Sequence, residues 1–345
     1  RALLGRARAR YRLQRVRDAL VDLDEALAIA VELGDPRLEI EVMLEVATAL
    51  DWSDDYAGSA AITERAVARH REAGDPELAA DVGLAQARVA YRQTGPAAVA
   101  LLTDVVEQAA RSGRSETETI ARLLLAPALI EAKQLDAAEA AFGQLIALCR
   151  RHDDRLHLGA ALANRMLLWG ACGQLDRVEG DLRTVIQLAR EAGQVTLERN
   201  ATHNLAEHRL WQGALPEAVK LARRGLSLQA GHGEGSTAVD ELLLARILAA
   251  HGEVPETRGL VARLAASELT VEDRIVVEVL RCFLDGAPPD AWRPWLERAD
   301  ASLSEDLQLE LAMLAQRRSA LSSERLAHVR LLASRNPAWS RRSEF

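Results

Sequence analysis

Apolar residues recur at three- and four-residue spacing through most of the chain, and the runs are broken at intervals by Gly, Asp or Pro. Leu135, Ala138, Phe142 and Leu145 keep this spacing; Leu175, Val178, Leu182 and Val185 repeat it, and Leu215, Ala218 and Ala222 follow. A stripe of this kind is one face of an amphipathic helix packed against a mate. No stretch alternates apolar and polar positions for long enough to predict a strand.

The breaks are themselves periodic. Helix-ending residues stand at Gly34, Gly74, Gly113, Asp153 and Gly193, in steps of 40, 39, 40 and 40, and the Gly231–Gly235 segment falls next. A second series, Gly95, Lys133, Gly173, Gly213 and Gly252, steps by 38, 40, 40 and 39. Two series at one period, half a unit apart, describe a helical hairpin repeated in tandem. Gly-Asp-Pro occurs at 34–36 and at 74–76. There Gly suits a left-handed helix end, Asp caps the next helix, and Pro occupies its first turn. Asp54-Asp55 and Asp153-Asp154 fall at hairpin ends, where capping also accounts for them.

The predicted first helices run near 2–13, 36–51, 76–92, 115–132, 155–171, 195–211, 237–250 and 271–284. Their partners run near 16–33, 57–73, 96–112, 135–152, 175–192, 215–230, 254–266 and 289–300. Helices near 304–321 and 323–334 close the array, and Asn336-Pro337 stops the last of them, with a flexible tail to Phe345. The expectation is an all-α chain, an α-solenoid of about eight antiparallel helical hairpins over residues 1–303, with capping helices and the tail in 304–345.

Composition refines this picture. The 345 residues are 49% hydrophobic but only 3% aromatic, so Ala, Leu, Val and Ile fill the core and helices approach closely. Net charge is −8, which argues against general nucleic-acid affinity. Residues 1–17 nevertheless carry seven Arg and no acid. Of the 43 basic residues 41 are Arg, which reads as the codon usage of a GC-rich bacterium. Cys149, Cys172 and Cys282 lack paired spacing, and each is expected to be a small buried hydrophobe. No apolar run is long enough for a membrane span and no signal peptide opens the chain, so a cytoplasmic protein without membrane contact is expected. The first residue is Arg and lies within a helical stretch, which reads as part of a longer polypeptide.

The segments Lys133-Gln134-Leu135-Asp136-Ala137-Ala138-Glu139, Gly173-Gln174-Leu175-Asp176 and Gly213-Ala214-Leu215-Pro216-Glu217-Ala218 resemble the tetratricopeptide turn: Gly, polar, large apolar, then small Ala. The long 40-residue unit is similar to the C-terminal arrays of bacterial ATPase-coupled serine/threonine kinases and LuxR-type regulators. That resemblance implies a surface lined by the first helices that binds peptides or partner segments. Nine residues before Gly173 and Gly213 stand Asn164 and Asn204, and in peptide-clamping members Asn at this place holds the peptide. The clamp's Lys residues have no match here, and the equivalent place one unit earlier is Leu124. Arg165, Glu207, His208 and Trp211 join the two Asn as the candidate groove for a peptide or protein partner. Trp169 either extends this surface or packs between hairpins, and Trp52 and Tyr91 lie at the ends of earlier first helices.

Other constellations carry less chemistry. His203, Glu207 and His208 match no zinc motif, since His208 points about 100° away from the face shared by the other two. The Gly231–Gly235 segment lacks a phosphate-loop Lys and follows a helix rather than a strand. No nucleophile–base pair can be assembled, so neither enzyme activity nor a cofactor is expected. The leading reading is a non-catalytic scaffold or sensor array that binds a peptide, a protein, or kinase or ATPase domains of its own polypeptide. The alternative is a receptor for a small molecule or a pheromone peptide whose superhelix changes shape on binding.

Overall fold

The computed structural model describes residues 1–13, 15–230 and 237–340, so the Gly231–Gly235 segment and the end of the tail lie outside the described residues. Among the described residues there is no strand. The helices are α1 (Ala2–Arg12), α2 (Val16–Leu33), α3 (Pro36–Asp51), α4 (Tyr56–Ala73), α5 (Ala79–Thr94), α6 (Val99–Arg111), α7 (Ser115–Glu131), α8 (Leu135–Arg151), α9 (Arg155–Ala171), α10 (Leu175–Glu191), α11 (Val195–Trp211), α12 (Leu215–Ala230), α13 (Ala238–His251), α14 (Val254–Ala265), α15 (Val271–Asp285), α16 (Pro289–Ser302), α17 (Glu305–Arg317) and α18 (Ser323–Arg335). The chain is an α-solenoid of tandem hairpins. It divides into two compact units, the first ending at Ala161 and the second beginning at Leu162, within α9.

The turns explain why the helices stop where they do. Gly34, Gly74, Gly113, Gly193, Gly95, Gly173, Gly213 and Gly252 all have positive φ, the left-handed backbone that Gly adopts without a Cβ penalty. Lys133 (φ 61°) and Asp153 (φ 51°) hold the same conformation as L-residues, and so do Asp54 and Ser319. Asp54 supplies the second series with an earlier member, one period before Gly95. Asp35 Oδ1 accepts from Leu38 N at 3.1 Å, Asp55 Oδ1 from Gly58 N at 2.9 Å, and Asp154 Oδ1 from His157 N at 3.1 Å, which are N-cap bonds.

Two starts differ from expectation. Residues 76–78 and 95–98 form 3₁₀ turns, Pro76–Leu78 and Gly95–Ala98, ahead of α5 and α6. At the first, Asp75 accepts from Glu77 N, two residues on rather than three, which tightens the opening turn. At the C-terminal end α17 stops at Arg317, because Ser319 takes the left-handed conformation. Pro127 lies inside α7 and Pro294 inside α16, and neither divides its helix.

The period is also written in burial. Ala98, Ala138, Val178 and Ala218 stand 40 apart and are all buried, as are Leu102, Phe142, Leu182 and Ala222. Burying a Leu or Phe of this set contributes about 1.5–3 kcal/mol, and the neighbouring Ala lets the helix backbones approach. Cys149 and Cys282 are buried, as expected, but Cys172 is exposed: it follows the last residue of α9 and sits in the turn, outside the apolar stripe.

Lys133 and Asp153 hold backbone that costs an L-residue roughly 1–2 kcal/mol. Lys133→Gly and Asp153→Gly should each raise stability by about 1 kcal/mol, seen as a higher urea midpoint with an unchanged helical signal.

Candidate functional site

Within each unit the first helices of successive hairpins meet: α1 with α3, α3 with α5 and α5 with α7 in the first unit; α11 with α13, α13 with α15 and α15 with α17 in the second. Polar pairs about one period apart stitch them together. In the first unit these are Arg1 with Glu41 (2.6 Å), Arg8 with Glu45 (2.8 Å), Arg88 with Asp51 (2.9 Å), and the Tyr91 hydroxyl with Glu131 (2.7 Å).

That face holds a cavity of about 470 Å³ in the first unit. Its walls come from α1, α3, α5, α7 and the first turn of α9, together with Trp52 and Arg114 in the adjoining turns. The charged groups occur in pairs: Arg1 with Glu41, Arg8 with Glu45, Arg12 with Glu116 and Arg114 with Asp81. Five lining arginines face four lining carboxylates, so the cavity has both signs in near balance. The aromatic contribution is Tyr11 and Trp52, whose ring centroids lie 5.8 Å apart. Tyr11 is buried and donates to Glu45 Oε2 at 3.1 Å, and burial pushes its hydroxyl pKa up, with the Glu45 charge adding to the shift. Trp52 is 41% exposed.

Arg88 lies at the floor of this cavity. Its Nη1 donates to Thr48 Oγ1 at 3.2 Å and Asp51 Oδ2 at 2.9 Å, while its buried Nε has no hydrogen-bond partner among the described residues. Burial lowers its proton affinity and the Asp51 charge opposes that. An N–H buried without an acceptor keeps an unrelieved desolvation cost.

The residues expected to form a groove all belong to the second unit. Arg165 is turned toward its own partner helix, with Nε and Nη2 on the two oxygens of Asp181 at 2.8 and 2.7 Å. Trp169 is buried beside it and donates to Asp181 Oδ2 at 2.8 Å, under the guanidinium of Arg177. The same device occurs in the first hairpin, where Arg6 grips Asp22, again sixteen positions on. Asn164 and Asn204 are half-buried, and Asn204 touches α9 through Met166 Sδ at 3.6 Å.

Glu207 and Trp211 meet in a buried polar network. Arg246 donates to Glu207 at 2.7 Å and to Glu310 at 2.9 and 2.6 Å, and Trp211 Nε1 donates to Glu310 at 3.0 Å. Glu310 is fully buried and comes from α17. Glu310 and Arg317 of α17 thus reach α11 and α13, where Glu207 and Trp211 of the expected groove lie. Arg317 reaches the Ala250 carbonyl, and Pro337 packs on Gly173. His208 is buried, with Nε2 3.0 Å from Gln212 Nε2. His203 faces Asp240 at 2.9 Å, so His203, Glu207 and His208 diverge to different partners.

Periodicity did not reveal Tyr11, Arg88 or the acids they meet. The available signal was charge of opposite sign one period apart on successive first helices, as in Arg1/Glu41 and Arg8/Glu45.

No protein-family model matches the chain, and no curated protein matches it. Among solved structures, the human IFIT1 dimer with m7Gppp-AAAA is similar over 97% of this chain and 77% of that one, at 17% identity and a TM-score of 0.55. A Rap protein complexed with Competence and Sporulation Factor is similar over 95% of this chain and 98% of that one, at 13% identity and a TM-score of 0.55. Identities this low speak to fold alone, and the fold they show is a tetratricopeptide-like helical repeat array.

Two measurements probe the buried network. Glu310→Gln leaves Arg246 short of a charge and should cost about 3–5 kcal/mol in denaturant unfolding, whereas Arg246→Met with Glu310→Leu should cost far less. Burial holds His208 below the ordinary 6.5, with Arg209 adding to the shift. Its contribution to stability is therefore complete above 6.5 and is lost as pH falls toward the folded value. Unfolding midpoints from about pH 7.5 down to about 5.5 should fall more steeply for the native chain than for His208→Gln.

Proposed function

We propose that this chain is a non-catalytic binding array and that the cavity of its first unit takes a peptide segment of a protein partner. The observation that carries this reading is the cavity's wall: first helices of successive hairpins supply paired charges of both signs, an aromatic pair and an unsatisfied arginine donor in one place. A peptide offers matching chemistry, with apolar side chains for Trp52 and charges of either sign for the paired groups of the wall.

The charge balance favours peptide over nucleic acid. Binding a phosphate backbone requires a surplus of uncommitted cations, and here Arg1, Arg8, Arg12 and Arg114 each hold a carboxylate already. The IFIT1 structure was determined with m7Gppp-AAAA and the Rap structure with Competence and Sporulation Factor, so this architecture serves more than one kind of ligand. Each lining carboxylate is engaged, and none stands free to face a reacting group, which supports binding rather than catalysis. The resemblance to signalling arrays supports a role as a sensing arm, with kinase or ATPase domains as the partners it controls.

Selection of random displayed linear peptides against the whole chain should yield binders that lose about tenfold or more affinity on Trp52→Ala and on Arg88→Ala, while the helical signal is retained. A capped oligonucleotide that binds, and is displaced by the same two substitutions, would replace this reading with RNA recognition. If no selected peptide responds to either change, the cavity is removed from consideration.

A further inference from the structure

A second cleft, of about 520 Å³, lies in the second unit and is built differently. Leu269, Val271 and Ile275, from the start of α15 and the residues before it, face Trp295 of α16, and Arg274, Arg298 and Ser302 complete the lining. Ile275 is buried at the base, Leu269 and Trp295 are half-buried walls, and Val271 is 71% exposed at the rim. Such an exposed Val beside a half-buried Trp leaves apolar surface in water.

The arginines separate this cleft from the cavity of the first unit. Neither Arg274 nor Arg298 makes an ion pair with any of the described residues, in contrast to the carboxylate-bound arginines there. Arg298 stacks its guanidinium over the Trp295 ring at 4.8 Å, which fixes both groups and leaves the N–H edge of the guanidinium available. The Ser302 hydroxyl adds a neutral donor. An apolar floor between two uncommitted guanidiniums is complementary to an apolar side chain flanked by carboxylates, the pairing for which Arg is best shaped.

We infer that this cleft docks an acidic, apolar segment of a protein partner. An apolar side chain of that segment sits against Ile275 and Trp295, and neighbouring Asp or Glu residues meet Arg274 and Arg298. The open rim decides between a segment and a free small ligand: Val271, Arg274 and Arg298 are all exposed, so the cleft covers one side of its occupant only. A side chain projected from a larger partner has its other side covered by that partner. The site is independent of the cavity proposed above, from which it shares no residue.

The test is a selection of random linear peptides against the whole chain, with the Arg274→Glu/Arg298→Glu double variant used for counter-selection. Both arginines are exposed, so the double variant keeps the fold, and a helical signal checks this. The expected consensus pairs an apolar residue with Asp or Glu. A synthetic consensus peptide should lose about tenfold or more affinity on the double substitution and on Trp295→Ala, and none on Trp52→Ala. The same peptide with Lys in place of its acids should recover binding to the double variant. Failure to enrich any peptide, a consensus without acids, or binding unmoved by the arginine changes overturns the proposal. So does concentration-dependent self-association abolished by Trp295→Ala, which would assign the cleft to a second copy of this chain. Loss of sensitivity to Trp52 and Arg88 alone bears on the first cavity and leaves this inference standing.

Discussion

A single helical hairpin cannot bury enough apolar surface to offset the entropy of ordering its chain, and each hairpin here depends on the next one for the rest of its core. The period follows from that dependence. If Phe142 is to pack as Leu102 and Leu182 do, the chain must return to the same place after the same number of residues. The left-handed turn residues enforce the count, since a helix allowed to run on by one residue would rotate its stripe by about 100° away from its neighbour. Close approach supplies the rest: Ala98, Ala138 and Ala218 leave room that a larger side chain would take away.

This constraint explains how much could be read in advance. The turns were legible because Gly at positive φ is a local property, visible one residue at a time, and the helix boundaries followed from two interleaved series. Lys133 and Asp153 were found by spacing, and Asp54 was placed at a hairpin end; Ser319 was missed because it lies beyond the regular period and an L-residue in this conformation leaves no compositional mark. The polar contacts were harder still. Arg8 and Glu45 lie one period apart and in principle could have been paired, but Arg246 and Glu310 are 64 positions apart, and nothing in a repeat pattern says that a late helix will meet an early one. The site suffered in the same way. Asn164, Asn204, Glu207 and Trp211 lie on first helices, but Trp211 donates to a buried carboxylate contributed by α17, Glu207 is tied to the same carboxylate through Arg246, and Arg165 is held within its own hairpin.

The first helices of the two units therefore carry different polar arrangements. In the first, arginine–carboxylate pairs line a cavity and leave Trp52 partly open. In the second, corresponding surface is occupied by the chain's own Glu310, with Arg246 and Trp211 closed around it. Buried ionic networks of this kind contribute little net stability compared with a well-packed apolar alternative, but they are intolerant of losing one member. Their effect is to fix which helix lies where.

The Glu310 contact has a consequence for the order in which the chain is made. Most polar partners of the early hairpins follow within about one period, Arg12 and Glu116 excepted, so those hairpins can settle against one another as they emerge. Arg246 finds Glu207 already made but waits for its fully buried carboxylate, which is 64 residues further on; at about 5–20 residues per second that is a wait of roughly three to thirteen seconds. Trp211 waits longer for the same group. Until α17 leaves the ribosome, Arg246 has only Glu207 to match its charge, and the Trp211 N–H lacks its Glu310 acceptor.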